Sequence, residues 1–282
     1  MTTRLQYRLV NVFTQNGGKL TGNPLCVFED ARGLSDTQMQ ALALQFNLSE
    51  TTFIFPSEKA DARVRIYTPS YEMPFAGHPT LGTAHVVRSL KDRGDQVALE
   101  LNVGVIPVSA KGSEWELRAN AATTRVPKAP RIDIAAALGL KEADIGGQAL
   151  WVNSGSEQLI VPLASEGAVR DVQISIDALK RVTQDGPRAQ AYVFAPAGKD
   201  SLLSRFFFSK GESLLEDPAT GSATANLGGW YLANQASLPL IKIISQGEMA
   251  GRPSTLHLRI DAARGVFVAG EVIELGRGQL EL

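Results

Sequence analysis

Cysteine and histidine are scarce in this chain. One cysteine, Cys26, and three histidines serve 282 residues. A lone thiol cannot close an intrachain disulfide or build a cysteine-based metal site. Three scattered histidines, with no H-E-x-x-H segment, give no metal pattern either. Charge of one sign is also missing. The formal net charge is −1 and no long block of like charge occurs, which argues against nucleic acid or an anionic membrane as the main partner. No apolar run reaches the length that spans a bilayer. Neither the fingerprint G-x-G-x-x-G nor the phosphate loop G-x-x-x-x-G-K is present, so nothing suggests a nucleotide. The stretch MTTRLQYRLVNVF carries charge within its apolar positions and no signal-peptide core, and a cytoplasmic location is the expectation.

What is present is the composition of an ordinary globular protein, 44% hydrophobic and 20% charged. The length fits one large domain or two of ordinary size. RLQYRLVNVFT and LCVFED read as strands separated by a glycine-rich turn. LSDTQMQALALQFN predicts a helix, with Ser35 and Gln38 as a capping box and Met39, Leu42, Ala43 and Phe46 at helical spacing. ETTFIFP and ARVRIYTP read as strands. GHPTLGTAHVVRSL predicts a helix opened by Gly77, with Pro79 in the first turn, where a missing N–H costs little. Residues 121–135, with two prolines and mixed charge, are the best linker candidate. Beyond them the style repeats, with helices expected over SIDALKRVTQ and GSATANLGGWYLANQ among strands.

One internal match stands out. EMPFAGHPT (72–80) and EDPATGSAT (216–224) share Glu, Pro, Gly and Thr at four of nine positions. Each follows a strand and precedes a helix. Two readings are open: chance recurrence of turn residues, or a duplicated half that presents one helix N-terminus in each copy. A helix start exposes unsatisfied N–H groups and the positive end of the dipole, and glycine there admits a ligand close to the backbone. Such ends suit an anion, a carboxylate in particular.

Four ionisable or hydroxylic residues stand beside these loops. His78 occupies the helix start; the plainer reading is a cap or a packed histidine. The dipole disfavours its imidazolium, so a neutral ring is expected. Asp217 lies in the matching loop, where it could simply stabilise the next helix. Ser222 aligns with His78 and could be a plain N-cap. Glu50 opens an apolar strand. In a dry cleft it could exchange protons with carbon, although by position alone an exposed carboxylate is the commoner outcome.

Taken together, NVFTQNGGKLTGNPLCVF, LSETTFIFP, RIYTPSYEMPFAGHPTLGTAHVV, LLEDPATGSATANLGGWYL and QGEMAGRPSTLHL resemble the signature blocks of the phenazine-biosynthesis PhzF-like isomerases, in order and across residues 5–258. The resemblance implies an α+β, diaminopimelate-epimerase-like fold of two pseudo-symmetric domains. Each would be a curled sheet around a central helix: residues 1–122 plus 268–282, and residues 123–267, with the active site in the cleft between them. It implies Glu50 as the proton-transfer residue, with His78, Asp217 and Ser222 completing the catalytic set. The N–H groups near Gly77 and Gly221 would hold a small carboxylate-bearing substrate. No metal, nicotinamide or pyridoxal phosphate is expected, and a homodimer is the family-level expectation. Related epimerases on this fold use one cysteine per half; Cys26 lies in neither loop, so a two-thiol racemase is not expected. The alternative is a non-catalytic metabolite-binding or interaction protein on the same scaffold. A hydrolase using Ser222 lacks a nucleophile-elbow motif.

Overall fold

The computed structural model describes residues 4–282. Residues 1–3, assigned above to the first domain, lie outside the described residues. The chain divides into two compact units, Met1–Arg118 with Ala269–Leu282, and Ala119–Val268.

In the first unit, alternating side chains make β1 (Arg4–Val12) and β2 (Asn23–Phe28) an antiparallel pair, with Val10 opposite Leu25. The chain crosses through α1 (Asp36–Phe46) and returns as β3 (Glu50–Phe55), parallel to β2. The capping box forms at the start of α1: Ser35 Oγ accepts from the Gln38 N–H, and Gln38 Oε1 accepts from the Ser35 N–H at 2.9 Å. Met39, Leu42 and Ala43 are buried against Cys26, Phe28 and Phe53, and the Phe28 and Phe53 rings stack with centroids 4.9 Å apart. Burial pushes the Cys26 thiol far up, which makes it an inert core group. Next, β4 (Ala62–Tyr67) runs antiparallel to β3, and the short β5 (Glu72–Met73) folds back on β4. Then α2 (Gly77–Lys91) leads to β6 (Gln96–Leu101), parallel to β4, followed by β7 (Gly104–Lys111) and β8 (Glu114–Arg118). The last strand, β17 (Val266–Glu281), pairs with both β1 and β8 and so closes this sheet into a barrel.

The barrel is filled by α2, which packs on β1, β2, β3, β6 and β8. A helix enclosed this way must be apolar and slim. Leu81, Ala84, Val86 and Val87 are fully buried, and Gly82 sets the distance. A Cβ at Gly82 would fall 2.7 Å from Leu25 Cδ2 and 2.9 Å from Val12 Cγ2. Gly82→Val is therefore expected to destabilise the protein by about 1–3 kcal/mol through overpacking, read as a lower urea midpoint with an unchanged slope.

The second unit repeats this order. It contains β9 (Thr123–Arg125), α3 (Arg131–Ala137), β10 (Leu150–Asn153), β11 (Glu157–Pro162), α4 (Glu166–Asp171), α5 (Ile176–Val182), β12 (Gln190–Pro196), β13 (Ser201–Lys210), β14 (Ser213–Asp217), α6 (Gly221–Ala233), β15 (Leu240–Gln246) and β16 (Ser254–Ile260). Its pairings match those of the first unit. β10 and β11 are antiparallel, β11 and β12 parallel across helices, β12 and β13 antiparallel, and β13 and β15 parallel across α6. The fold is the two-half, pseudo-symmetric one, each half a curled sheet around a central helix.

The match between 72–80 and 216–224 is structural. Tyr67 faces Glu72 across β4–β5, and Phe207 faces Glu216 across β13–β14. Two residues earlier stand Arg65 and Arg205. Arg65 Nε donates to Glu72 at 2.8 Å, and Arg205 Nε donates to Glu216 at 3.0 Å. Turn chemistry recycled by chance does not repeat a register and an ion pair.

Residues 121–135 are not a free linker. They hold β9, which pairs with β10, and the start of α3, for which Pro130 is the N-cap. Their charge is used internally: Arg125 donates to Glu157 at 2.9 Å and to Asp185 at 2.8 Å. Proline at a helix start looks like a break when only composition is read.

Candidate active site

Both central helices begin alike. Ala76 and Thr220 take the extended N-cap conformation, neither side chain caps its helix, and neither first turn carries an acid. The first turns at Gly77–His78 and at Gly221–Ser222 thus have no acid of their own to offset the positive helix end. Each is the kind of end that takes an anion.

His78 is not a cap. It is the second residue of α2 and is 7% exposed. Its ring donates to the carbonyl of Pro24. Among the described residues Nε2 has no hydrogen-bond partner, so Nδ1 is the donor. That tautomer leaves a bare lone pair on Nε2, which faces Glu50 Oε2 at 3.4 Å. Burial pulls the His78 pKa down to about 3, against a small opposing effect of the Pro24 carbonyl. The neutral ring expected from the helix dipole is therefore neutral chiefly through desolvation. Glu50 is the first residue of β3, opposite Leu25 in the parallel ladder, and its side chain is only 15% exposed. The exposed-carboxylate reading of Glu50 fails for this reason. A proton on Glu50 Oε2 would have the imidazole as a ready acceptor.

Asp217 ends β14, opposite Phe206. Its carboxylate accepts from the Thr220 hydroxyl. Its carbonyl accepts from Gln246 Nε2 at 2.9 Å, and the same amide donates to Thr220 Oγ1 at 2.9 Å. Gln246 is 1% exposed. The next residue, Gly247, has φ +79, and a Cβ there would meet the Pro218 carbonyl oxygen at 2.4 Å. Only glycine allows this close approach. The corner at 246–247 thus holds the loop that carries Asp217. Gln246→Leu leaves buried polar partners unmatched and is expected to cost about 1–3 kcal/mol, measured by urea unfolding.

Ser222 is not the N-cap of α6, since that position is Thr220. Its hydroxyl accepts from Gln158 Nε2 at 3.0 Å. An amide cannot take a proton from serine, so this contact gives no support to the hydrolase reading.

The structure thus brings Glu50 and His78 into contact within the first unit. It sets Asp217 and Ser222 around the start of α6 in the second, with Gly77 and Gly221 as the first residues of the two helices. Pro24, Gln158 and Gln246 were missed from sequence. Gln158 sits in EQLIVPLA, which reads as an apolar strand, and its signal was the one buried-face polar residue there. Among the described residues no group of three or more His, Cys, Asp or Glu is placed to hold a metal ion. Among the described residues no helix is long and apolar enough to cross a membrane.

Comparison with known proteins gives a consistent result. The family model for phenazine biosynthesis-like proteins, PhzC-PhzF, matches residues 10–276. An uncharacterised isomerase of Pasteurella multocida is 37% identical over 99% of this chain and 95% of its own length. The trans-2,3-dihydro-3-hydroxyanthranilate isomerase of Pseudomonas aeruginosa is 34% identical over 95% of this chain and 94% of its own. The crystal structure of a Bacillus anthracis phenazine biosynthesis protein of the PhzF family superposes with a TM-score of 0.86, covering 99% of both chains at 22% identity, and shows the same fold.

Proposed function

The chain belongs to the phenazine biosynthesis-like protein family and is an isomerase, and we propose that it moves a proton on a small carboxylate-bearing metabolite by side-chain acid–base chemistry, with Glu50 as the proton carrier. The observation that carries this reading is the buried pair of Glu50 with a neutral His78. Glu50 takes an activated proton from substrate carbon and returns it, or one exchanged with solvent, to another carbon of the same molecule. His78, fixed by its bond to Pro24, offers Nε2 as acceptor and holds the carboxyl in one orientation. The proton is thereby carried without creating a buried ion pair, whose desolvation would be costly. The substrate carboxylate is held by N–H groups at a helix start of the kind that α2 and α6 each present. Asp217, fixed by Thr220 and Gln246, orients an amino or hydroxyl group, and Ser222 donates a hydrogen bond.

The first substrate to try is trans-2,3-dihydro-3-hydroxyanthranilate, the compound for which the Pseudomonas aeruginosa relative is named. It carries the required carboxylate. The test is turnover in deuterated water with this compound and a panel of small amino and hydroxy acids, followed by NMR. Deuterium entering carbon is the expected result. Tight binding of a panel acid with neither label nor isomerised product would replace this reading with the non-catalytic one.

A further inference from the structure

The registers of the two units allow residue-by-residue comparison of their interiors. Thr51 faces Tyr67 and Cys26 faces Thr51, while Ala191 faces Phe207 and Leu159 faces Ala191. Tyr67 and Phe207 are equivalent through their glutamate partners, so Gln158 stands where the first unit has Leu25. With Ser222 equivalent to His78, Asn226 stands where the first unit has Gly82. Leu25 and Gly82 meet in an apolar contact. Gln158 and Asn226 also meet, but through a hydrogen bond of 2.8 Å between Asn226 Nδ2 and Gln158 Oε1. The second unit has placed a polar pair where an apolar pair would close the core. Gln158 is 3% exposed and Asn226 is fully buried.

The direction of this network is fixed by backbone groups, which have no ambiguity of donor and acceptor. Asn226 Oδ1 accepts from the Ser154 N–H at 2.9 Å and from the Ser154 hydroxyl at 2.7 Å. Asn226 Nδ2 must then be the other branch, and it donates to the Ser156 carbonyl at 2.8 Å. The same Nδ2 can reach Gln158 only through Oε1. Gln158 therefore turns Nε2 to Ser222, and the serine oxygen is the acceptor in that contact at 3.0 Å. The Ser222 proton is left to point elsewhere.

We propose that Asn226 and Gln158 are positioning residues whose amide relay, anchored on Ser154 and Ser156, fixes Ser222 as a hydrogen-bond donor to an anionic oxygen of the substrate. The proposal rests on the isomerase reading above for the identity of that oxygen. It explains why a buried polar pair is kept where the other half uses leucine and glycine: each amide group in it is satisfied, and its free end is a hydroxyl of defined polarity.

Gln158→Glu tests the relay. The carboxylate accepts from Asn226 as before but now also accepts from Ser222, which turns the serine proton inward. Exchange into trans-2,3-dihydro-3-hydroxyanthranilate, or into whichever panel acid the unsubstituted protein labels, is expected to fall about 10²–10³-fold at pH 8, the usual cost of one lost transition-state donor. Relative to the unsubstituted protein it should recover as the pH falls, since the carboxyl, once protonated, can donate to Ser222 again. Gln158→Met removes the relay without inverting it. It should lower kcat by less than Gln158→Glu does and have no further effect in a Ser222→Ala background. Full activity of Gln158→Glu at pH 8, or additive effects of Gln158→Met and Ser222→Ala, would overturn the proposal. A second readout needs no substrate. In 15N NMR, Ser222→Ala should shift the Gln158 side-chain amide and quicken its exchange with water. An unmoved resonance means the amide points the other way and the relay is wrong. Failure of the isomerase reading is distinguishable, since it would appear as exchange indifferent to Glu50 while this amide signal still responds to Ser222.

Discussion

Glu50→Gln is expected to lower the rate of proton exchange by about 10²–10⁴-fold, the usual contribution of a positioned acid–base group, and to leave the fold intact. Glutamine keeps the shape of the carboxyl at the start of β3 and can still bond His78 through its amide. It cannot carry the proton. Because the pair is 15% and 7% exposed in its side chains, bulk water has little opportunity to replace the missing carboxylate. The loss should fall on kcat, with KM changed little, since the backbone N–H groups proposed to hold the substrate are not touched by the substitution. Circular dichroism and the urea midpoint serve as the fold control. Near-normal turnover in this variant would remove Glu50 from the mechanism.

Acidification from pH 6.5 to 4.5 is expected to remove about 5 kcal/mol of stability, a figure comparable to the whole stability of many domains. Two buried histidines are responsible. His78 is pulled down from the ordinary 6.5 to about 3, and His85 from 6.5 to about 4, in both cases mainly by burial. The folded state binds these protons less readily than the unfolded state. Stability is therefore fully present above pH 6.5 and falls as the pH drops, by about 1.4 kcal/mol per unit for each ring. Each ring loses its share down to its own folded value. Carboxylates act in a separate, lower window. Glu72, for example, is held below the usual range first of all by its hydrogen bonds from Arg65, so its contribution is lost only near and below the ordinary carboxylate pKa. Urea midpoints between pH 4.5 and 7 measure the effect. His78→Asn can still donate to the Pro24 carbonyl but cannot be protonated. It should halve the slope, and an unchanged slope would show that His78 is not the group titrating.

Much of the fold was legible along the chain because its signals are local. The capping box Ser35–Gln38 forms as read, and the Met39, Leu42, Ala43 stripe is buried. Gly77 and Gly221 open the two helices that the turn chemistry announced. The likeness of EMPFAGHPT and EDPATGSAT pointed to a duplicated half before any register was known. The readings that failed were those in which composition stood in for pairing. Prolines and charges made 121–135 look like a linker, yet Arg125 is engaged with Glu157 and Asp185, 32 and 60 residues away. Nothing in the local sequence encodes such a partner. Likewise α4 was not anticipated: six residues are too few to show a helical period.

Residue order alone carries the family and the duplicated plan, and it names Glu50, His78, Asp217 and Ser222 as the candidates. The state of those residues is set by folding. His78 is a neutral acceptor because the folded chain removes it from water and gives its Nδ1 proton to Pro24, 54 residues earlier by number. Ser222 is a donor because Asn226 and Gln158, carried on a helix and a strand far apart in the chain, lock one another's amides. Residue types are local, but protonation and hydrogen-bond direction depend on burial and on partners that only folding brings within reach.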